Sequence, residues 1–392
     1  LSLLQHLQHN KECANATLVR MPPVPVHPDV YSVALGELQN GVSWAKVREN
    51  NQDRVRRRAY KSFPDDLTNS PYCWVLLKSD SRSIYRQLTK LQGIRASYPA
   101  QINIDEWLDR DSPEFNQTLH DAIFYYKPRT EKGERLCVCI ATDDMRRAAW
   151  CYAHHSQIIL DGTFGVSNSR LLLFIAMGVD ETWRGVPIAF FLFSAPTGNQ
   201  QTSAGYDTKI LTDLLTQWRS TMSGSATLFG YPQQEFQPAV AITDTDLKER
   251  AALLAVWPSL WLLLCTFHLR QCWKNHRDRT LTASGTEMHR DVTERLRRLE
   301  EDLIKTTSFM EARQLLANER EDIERINHPI AANGIKHLEY LTNYWTTENL
   351  WSSWSNHGRA IAAGILHCAI EGVLPTTNHL EAFNRVLKRD HL

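Results

Sequence analysis

Gln157-Ile158-Ile159-Leu160-Asp161-Gly162-Thr163-Phe164 and Val240-Ala241-Ile242-Thr243-Asp244-Thr245-Asp246 are the two stretches that decide how this chain folds. Each is a short apolar run rich in β-branched residues that ends on an acid and then on turn-forming residues, the pattern of a buried strand. In an open sheet, side chains at strand ends point into a crevice. If the two strands are neighbours, Asp161 and Asp244 therefore stand side by side. Two or three carboxylates at one point repel strongly unless a divalent cation lies between them, and such a cluster suits a pair of Mg²⁺ or Mn²⁺ ions. Taken singly, each acid has a plainer reading. Asp-Gly after a strand is a common turn, and Asp244 ahead of a helix is a good cap. Asp246 rivals Asp244 but lies two residues farther past the strand, so Asp244 is preferred.

Around these runs, strand candidates are Leu136 to Ala141, Gln157 to Asp161, Leu171 to Val179, Val186 to Ser194, Ala239 to Thr243 and Trp261 to Phe267. Ile210, Leu211, Leu214, Leu215 and Trp218 recur at helical spacing and give one apolar face, and Leu247 to Val256 is a second helix. Tight connections early suit an antiparallel meander, and alternation with helices later suits parallel addition. The expected architecture is α/β: a mixed five-stranded RNase H-like sheet with flanking helices, an all-α insertion and an α+β N-terminal region.

The expected domains are an N-terminal region over 1–135, a core over 136–273 with the first two acids, an all-α insertion over 274–373, and a closing core helix over 374–392. In the first, Tyr31 to Tyr60 reads as helices broken near Gly41, Tyr72 to Leu77 as a strand, and Ser83 to Lys90 and Phe115 to Phe124 as helices. In the third, Glu287 to Ile304, Phe309 to Ile326 and Tyr340 to Trp354 are helical, the last carrying Trp345, Trp351 and Trp354. Leu374-Pro375 interrupts, and Thr377 to Lys388 forms the final helix with Glu381 on it.

The chain has 392 residues, 43% of them hydrophobic, enough for several ordinary cores. With 44 Lys+Arg against 44 Asp+Glu, it is not a simple basic coat for nucleic acid, although local patches remain open. No apolar run approaches the ~18 residues that span a bilayer. Eight cysteines without a CxxC pair fit reduced thiols better than a disulfide framework. The chain starts at Leu1 without an initiator Met and stops at Leu392 soon after a helical run, so a fragment of a longer protein is expected.

From Gln157 to the last residue the sequence resembles the Mutator-like element transposases. The resemblance rests on Ile159-Leu160-Asp161-Gly162-Thr163-Phe164, on Ile242-Thr243-Asp244 with Glu249 and Ala252, on Trp257-Pro258, on Leu264-Cys265-Thr266-Phe267-His268, and on Thr377-Asn378-His379-Leu380-Glu381-Ala382-Phe383-Asn384. These pieces occur in the family's order. The resemblance implies a DDE-type DNA transposase whose catalytic and metal-binding acids are Asp161, Asp244 and Glu381. It further implies Mg²⁺ or Mn²⁺ as a two-metal cofactor, transposon ends and target DNA as partners, a homo-oligomer holding the ends, and work in the nucleus. The alternative is a domesticated descendant that binds DNA as a transcription regulator and does not cut.

Cys265 and His268 form a C-x2-H pair that the family shares, read here as a supporting structure beside the acids. A zinc site would need two more ligands, with Cys272 and His276 as the only nearby candidates. Arg54, Arg56, Arg57, Arg58 and Lys61 form a basic cluster, read as phosphate contacts, as a nuclear-import signal or as a solvated helix face. The three tryptophans 345, 351 and 354 suit a helical core better than base stacking. His6, His9 and Cys13 resemble the tail of a zinc finger.

Overall fold

The computed structural model describes residues 24–65, 70–91, 94, 100–131, 133–166, 171–196, 205–281 and 286–391, so His6, His9 and Cys13 lie outside the described residues. The chain divides into two compact units that part at Asn103/Ile104. The boundary expected at 135/136 falls inside the second of them, because the segment before it already belongs to the sheet.

In the first unit, α1 (Pro28–Gln39) and α2 (Trp44–Arg56) flank Gly41, which adopts a left-handed φ of 78°. The turn expected near Gly41 is thus present, and glycine meets its demand without a Cβ penalty. α3 (Ser81–Leu91) packs Ile84 and Leu88 against Val30, Ala34, Val47, Trp74 and Leu76. The strand expected at Tyr72 to Leu77 does not form; the segment makes only an isolated bridge between Val26 and Cys73. Its backbone is satisfied by a side chain instead. Buried Asn51 donates to the Trp74 carbonyl at 2.9 Å and accepts from the Leu76 amide at 2.8 Å, doing the work of a neighbouring strand.

α4 (Ala100–Leu108) runs across the division at Asn103/Ile104, and in the second unit α5 (Gln117–Ala122) runs directly into β1 (Ile123–Lys127). The helix expected over Phe115 to Phe124 is therefore shorter, and its last two residues begin a strand. The remaining elements around the sheet are β2 (Cys137–Ile140), α6 (Asp143–Tyr152), β3 (Gln157–Thr163), β4 (Leu172–Val179), β5 (Gly185–Phe193), α7 (Thr208–Gly224), β6 (Val240–Thr243), α8 (Leu247–Val256) and β7 (Trp261–Leu264). The sheet is mixed and has seven strands in the order β1-β2-β5-β4-β3-β6-β7, two more than expected. β3, β4 and β5 form the antiparallel meander; β6 adds parallel to β3, and β7 parallel to β6. The Leu136 to Ala141 run does not open the meander but pairs antiparallel with β5, and β1 pairs with β2.

Strand alternation sorts the core into two faces. Ile158, Leu160, Phe174, Phe191 and Phe193 pack against α6, α7 and α8 through Trp150, Leu215, Trp218 and Leu253. Ile159, Ile175, Met177, Ile242 and Leu263 face the other way, against Val373, Leu374 and Leu380 from the C-terminal segment.

That segment follows a helical region: α9 (Thr266–Thr280), α10 (Glu287–Lys305), α11 (Phe309–Glu324), α12 (Ile330–Tyr340), α13 (Glu348–Trp354) and α14 (Asn356–Ile365). α9 begins where a longer β7 was expected, so Phe267 and His268 are helical. The helix expected from Tyr340 to Trp354 is broken at Thr346-Thr347, the cap of α13. Trp345, Trp351 and Trp354 are buried here with Trp273, whose ring meets Trp354 edge-on at 5.2 Å, so stacking on bases is closed to them. The chain then returns to the sheet as α15 (Asn378–Val386). Among the described residues no helix is long and apolar enough to cross a membrane.

Candidate active site

β3 and β6 pair in parallel register up to Ile159 opposite Ile242. Asp161 and Asp244 each lie two residues beyond that last pair, one full alternation along. Asp161 keeps the face of Ile159 within β3, while Asp244 follows directly on the end of β6, near enough for its charge to act on Asp161. Asp161 is not at the end of its strand, because β3 continues to Thr163 along β4 and pairs Asp161 with Ile175. Gly162, next in line, lets the strand pass close to Phe174; a Cβ there would stand 2.9 Å from the ring.

The electrostatics follow from burial. Asp161 is pushed up to about 6, first by desolvation and then by the charge of Asp244. Asp244 is raised as well, mainly by burial. Asp246 behaves as a cap: it accepts from the Lys248 amide at 2.8 Å and from the Tyr206 hydroxyl, while its own amide donates to Asp244 at 2.7 Å. The rival acid is thus occupied in the turn that holds Asp244.

Glu381 comes from α15, whose Leu380 inserts into the same face of the sheet. Its carboxylate lies 3.6 Å from Nε2 of His268 and adds to the negative field at Asp161. Several bonds tie this last segment down. Gln157 donates to the Gly372 carbonyl at 2.8 Å and accepts from the Leu374 amide at 2.9 Å. Thr266 donates through its amide and its hydroxyl to the Pro375 carbonyl, both at 3.0 Å. The Thr377 amide and hydroxyl donate to Cys265 Sγ at 3.4 and 3.5 Å.

Cys265 and His268 thus belong to the anchor of the third acid. The neighbouring Cys265 lifts His268 to about 9, aided by the charges of Asp161 and Asp244. Burial raises the Cys265 thiol, but hydrogen bonds from His268 and Thr377 outweigh it and leave it below its ordinary value. The other two candidate zinc ligands are engaged elsewhere. Cys272 lies 3.9 Å from Thr245 Oγ1, and His276 bonds His337 at 2.9 Å and stacks on Tyr340.

Glu249 is the residue that sequence reasoning passed over. It is 1% exposed on α8, and its Oε1 has no hydrogen-bond partner. Burial, Asp244 and Asp161 hold it well above the usual carboxylate range. Its presence among the family-like residues was the available signal, but nothing in a helix reading of Leu247 to Val256 says which side faces the acids.

Asp161, Asp244, Asp246, Glu249 and Glu381 thus outnumber the local cations, buried Arg250 and His268. That excess of oxygen donors, with an orphaned carboxyl oxygen among them, fits a hard divalent cation. Among the described residues, however, no three His, Cys, Asp or Glu side chains are grouped closely enough to hold a metal as they stand.

Of the basic cluster in the first unit, Arg54 pairs with Glu37, Arg56 with Asp53 at 3.2 Å and Arg58 with Asp65 at 3.9 Å, while Arg57 and Lys61 are exposed.

The raised Asp161 gives a pH-dependent prediction. The folded protein holds this proton more tightly than the unfolded chain does. The resulting stabilisation is complete below about pH 4 and is lost as pH rises through about 6. Asp161→Asn removes the charged form, so without divalent cations it melts higher than the wild type at pH 7.5, by on the order of 2 kcal/mol. The gap closes toward pH 4. A melting series in which the gap is constant with pH would contradict the assignment.

No family model matches this chain, and no curated protein matches it.

Proposed function

We propose that this chain is the catalytic part of a DDE-type DNA transposase of the Mutator-like kind, with Asp161, Asp244 and Glu381 as its acids. The observation that carries the reading is the parallel pairing of β3 with β6, which brings Asp161 and Asp244, just past the end of β6, close enough for the charge of one to act on the other. Support comes also from the order of the five strands β5-β4-β3-β6-β7, an antiparallel meander followed by two parallel additions, which suits an RNase H-like core. The long helical region lies between the second and third acids, as the resemblance implies.

In this reading Asp161 and Asp244 hold the divalent cations from the sheet, and Glu381 completes the set from α15. When bound, Mg²⁺ or Mn²⁺ would supply charge stabilisation to the attacking and leaving oxygens of an in-line displacement. The chain's own residues prepare that geometry. Asp246 and its turn orient Asp244, Gly162 lets β3 lie close against its neighbour, and His268 holds Glu381 beside the pair. Hydrolysis at a transposon end and strand transfer to target DNA are both such displacements, so one centre serves both. Duplex DNA, a second copy of the chain to hold the other end, and the nucleus as the place of work belong to the same proposal.

The second reading is a DNA-binding regulator without catalysis. Supercoiled plasmid carrying the element's own ends separates the two. The transposase reading expects nicking with Mg²⁺ or Mn²⁺ that EDTA abolishes. Tight binding of those ends with no nicking in either metal would sink it in favour of the regulator.

A further inference from the structure

The hairpin joining β4 to β5 contains a residue that its geometry does not call for. Its turn is closed by the Trp183 amide on the Asp180 carbonyl and the Asp180 amide on the Arg184 carbonyl, both at 3.0 Å. The Asp180 carboxylate braces it further, accepting from Thr182 and from the Arg184 amide. In such a turn the residue whose amide closes it takes a left-handed conformation that ordinarily selects glycine. Here it is Trp183, with φ 62° and 52% of its surface exposed. A strained backbone that holds a large ring out into solvent gains nothing for the fold, so the ring has another use.

Trp183 lines a cleft of about 360 Å³ with His155, Gln157, Glu181, Leu366 and Cys368. Strain concentrates here. His155 also has a left-handed φ, of 54°, as does His367, of 52°, between two of the lining residues. The cleft is joined to the acids by β3. Gln157 and Asp161 are four residues apart and share a face, so about 13 Å of strand separates them. The same C-terminal segment borders both, with Gly372 at the cleft and Glu381 at the acids.

The lining chemistry is a half-exposed indole beside the Glu181 carboxylate, one of whose acceptor positions is met by the Tyr152 hydroxyl. It suits a flat, uncharged ring that bears amino donors, and it does not suit a phosphate. We propose that this cleft is a nucleobase site, taking an unpaired amino-bearing base of a DNA strand whose phosphodiester lies at Asp161 and Asp244. The base stacks on Trp183 and donates its exocyclic amine to Glu181. The proposal rests on the reading of the acids as a DNA-cleaving centre, and it places the held base within about four stacked nucleotides of the reacting phosphate.

The test measures binding of single-stranded oligo-dC, oligo-dA and oligo-dT to the full chain, with Ca²⁺ replacing Mg²⁺ so that no cutting occurs. The wild type is expected to prefer dC and dA to dT. Trp183→Gly is expected to bind dC about tenfold more weakly, the loss of one base stack, yet to melt at or above the wild-type temperature because glycine relaxes the turn. Trp183→Phe keeps most of the affinity, and Glu181→Gln reduces the preference for dC over dT. If the wild type binds DNA and Trp183→Gly binds it equally well, the cleft is not a base site although the DNA reading stands. If Trp183→Gly lowers the melting temperature by several degrees, the indole serves the fold and the proposal fails. If the wild type binds no DNA, single-stranded or duplex, the proposal and the functional reading fall together.

Discussion

If the chain is the proposed transposase, Asp161→Asn and Asp244→Asn are each expected to lower metal-dependent DNA cleavage by about a thousandfold or more, with DNA binding near the wild-type level. The size of the effect follows from position. Asp161 lies on β3 and Asp244 directly past the end of its parallel neighbour β6, and the charge of Asp244 acts on Asp161. Asp246 is tied to Tyr206 and the Lys248 amide as a cap, and Glu249 is buried behind the pair. Neither can move into the vacated place without undoing the start of α8. Asparagine keeps the shape and loses the charge, so the fold persists. The measurement is plasmid nicking against Mg²⁺ concentration, with binding followed in Ca²⁺. A mutant that still cuts within tenfold of the wild type would remove that residue from the catalytic set.

Glu300→Ala lowers the unfolding free energy by about 3–5 kcal/mol. Glu300 and Arg277 are both almost wholly buried and form an ion pair, and the same carboxylate accepts from His337 at 2.9 Å. His337 has no exposed surface and in turn bonds His276 at 2.9 Å. Removing the carboxylate leaves a guanidinium buried without its counter-charge and breaks the chain of bonds across α9, α10 and α12. Because α9 also carries His268, the damage reaches the anchor of Glu381. Urea unfolding followed by tryptophan fluorescence reads this directly, since Trp273, Trp345, Trp351 and Trp354 all lie in that core. A loss below about 1 kcal/mol would mean that the network is not a cohesive element of the helical region.

The sheet was legible where burial imposes a pattern that one segment carries alone. The runs ending at Asp161 and Asp244 are apolar on both faces and short, so length and β-branching identify them. The meander and the parallel additions followed from connection lengths. Legibility failed where structure depends on a distant partner. Ile123 to Lys127 is an edge strand whose residues are mostly half-buried, and it follows a helix without a turn, so no breaker marks the change. Tyr72 to Leu77 alternates like a strand but lacks a partner, and the Asn51 side chain that replaces one lies 21 residues away from Tyr72 at the nearest. At the site, the sequence could place Asp161 and Asp244 after two apolar strands but not make those strands neighbours; their parallel pairing is a property of the folded sheet. The burial of Glu249, the clamp of Cys265 on Thr377 and the left-handed Trp183 were not legible. Each arises from how a loop or helix packs onto the sheet, which no local pattern encodes.

The most direct test is a crystal structure of the chain soaked in Mn²⁺, with the ion located by its anomalous signal. The account predicts a peak between Asp161 and Asp244, with carboxylate oxygens of both within about 2.0–2.3 Å and Glu381 drawn in toward it. A well-ordered site with no peak there, or Mn²⁺ bound elsewhere while the two aspartates stay apart, would contradict it.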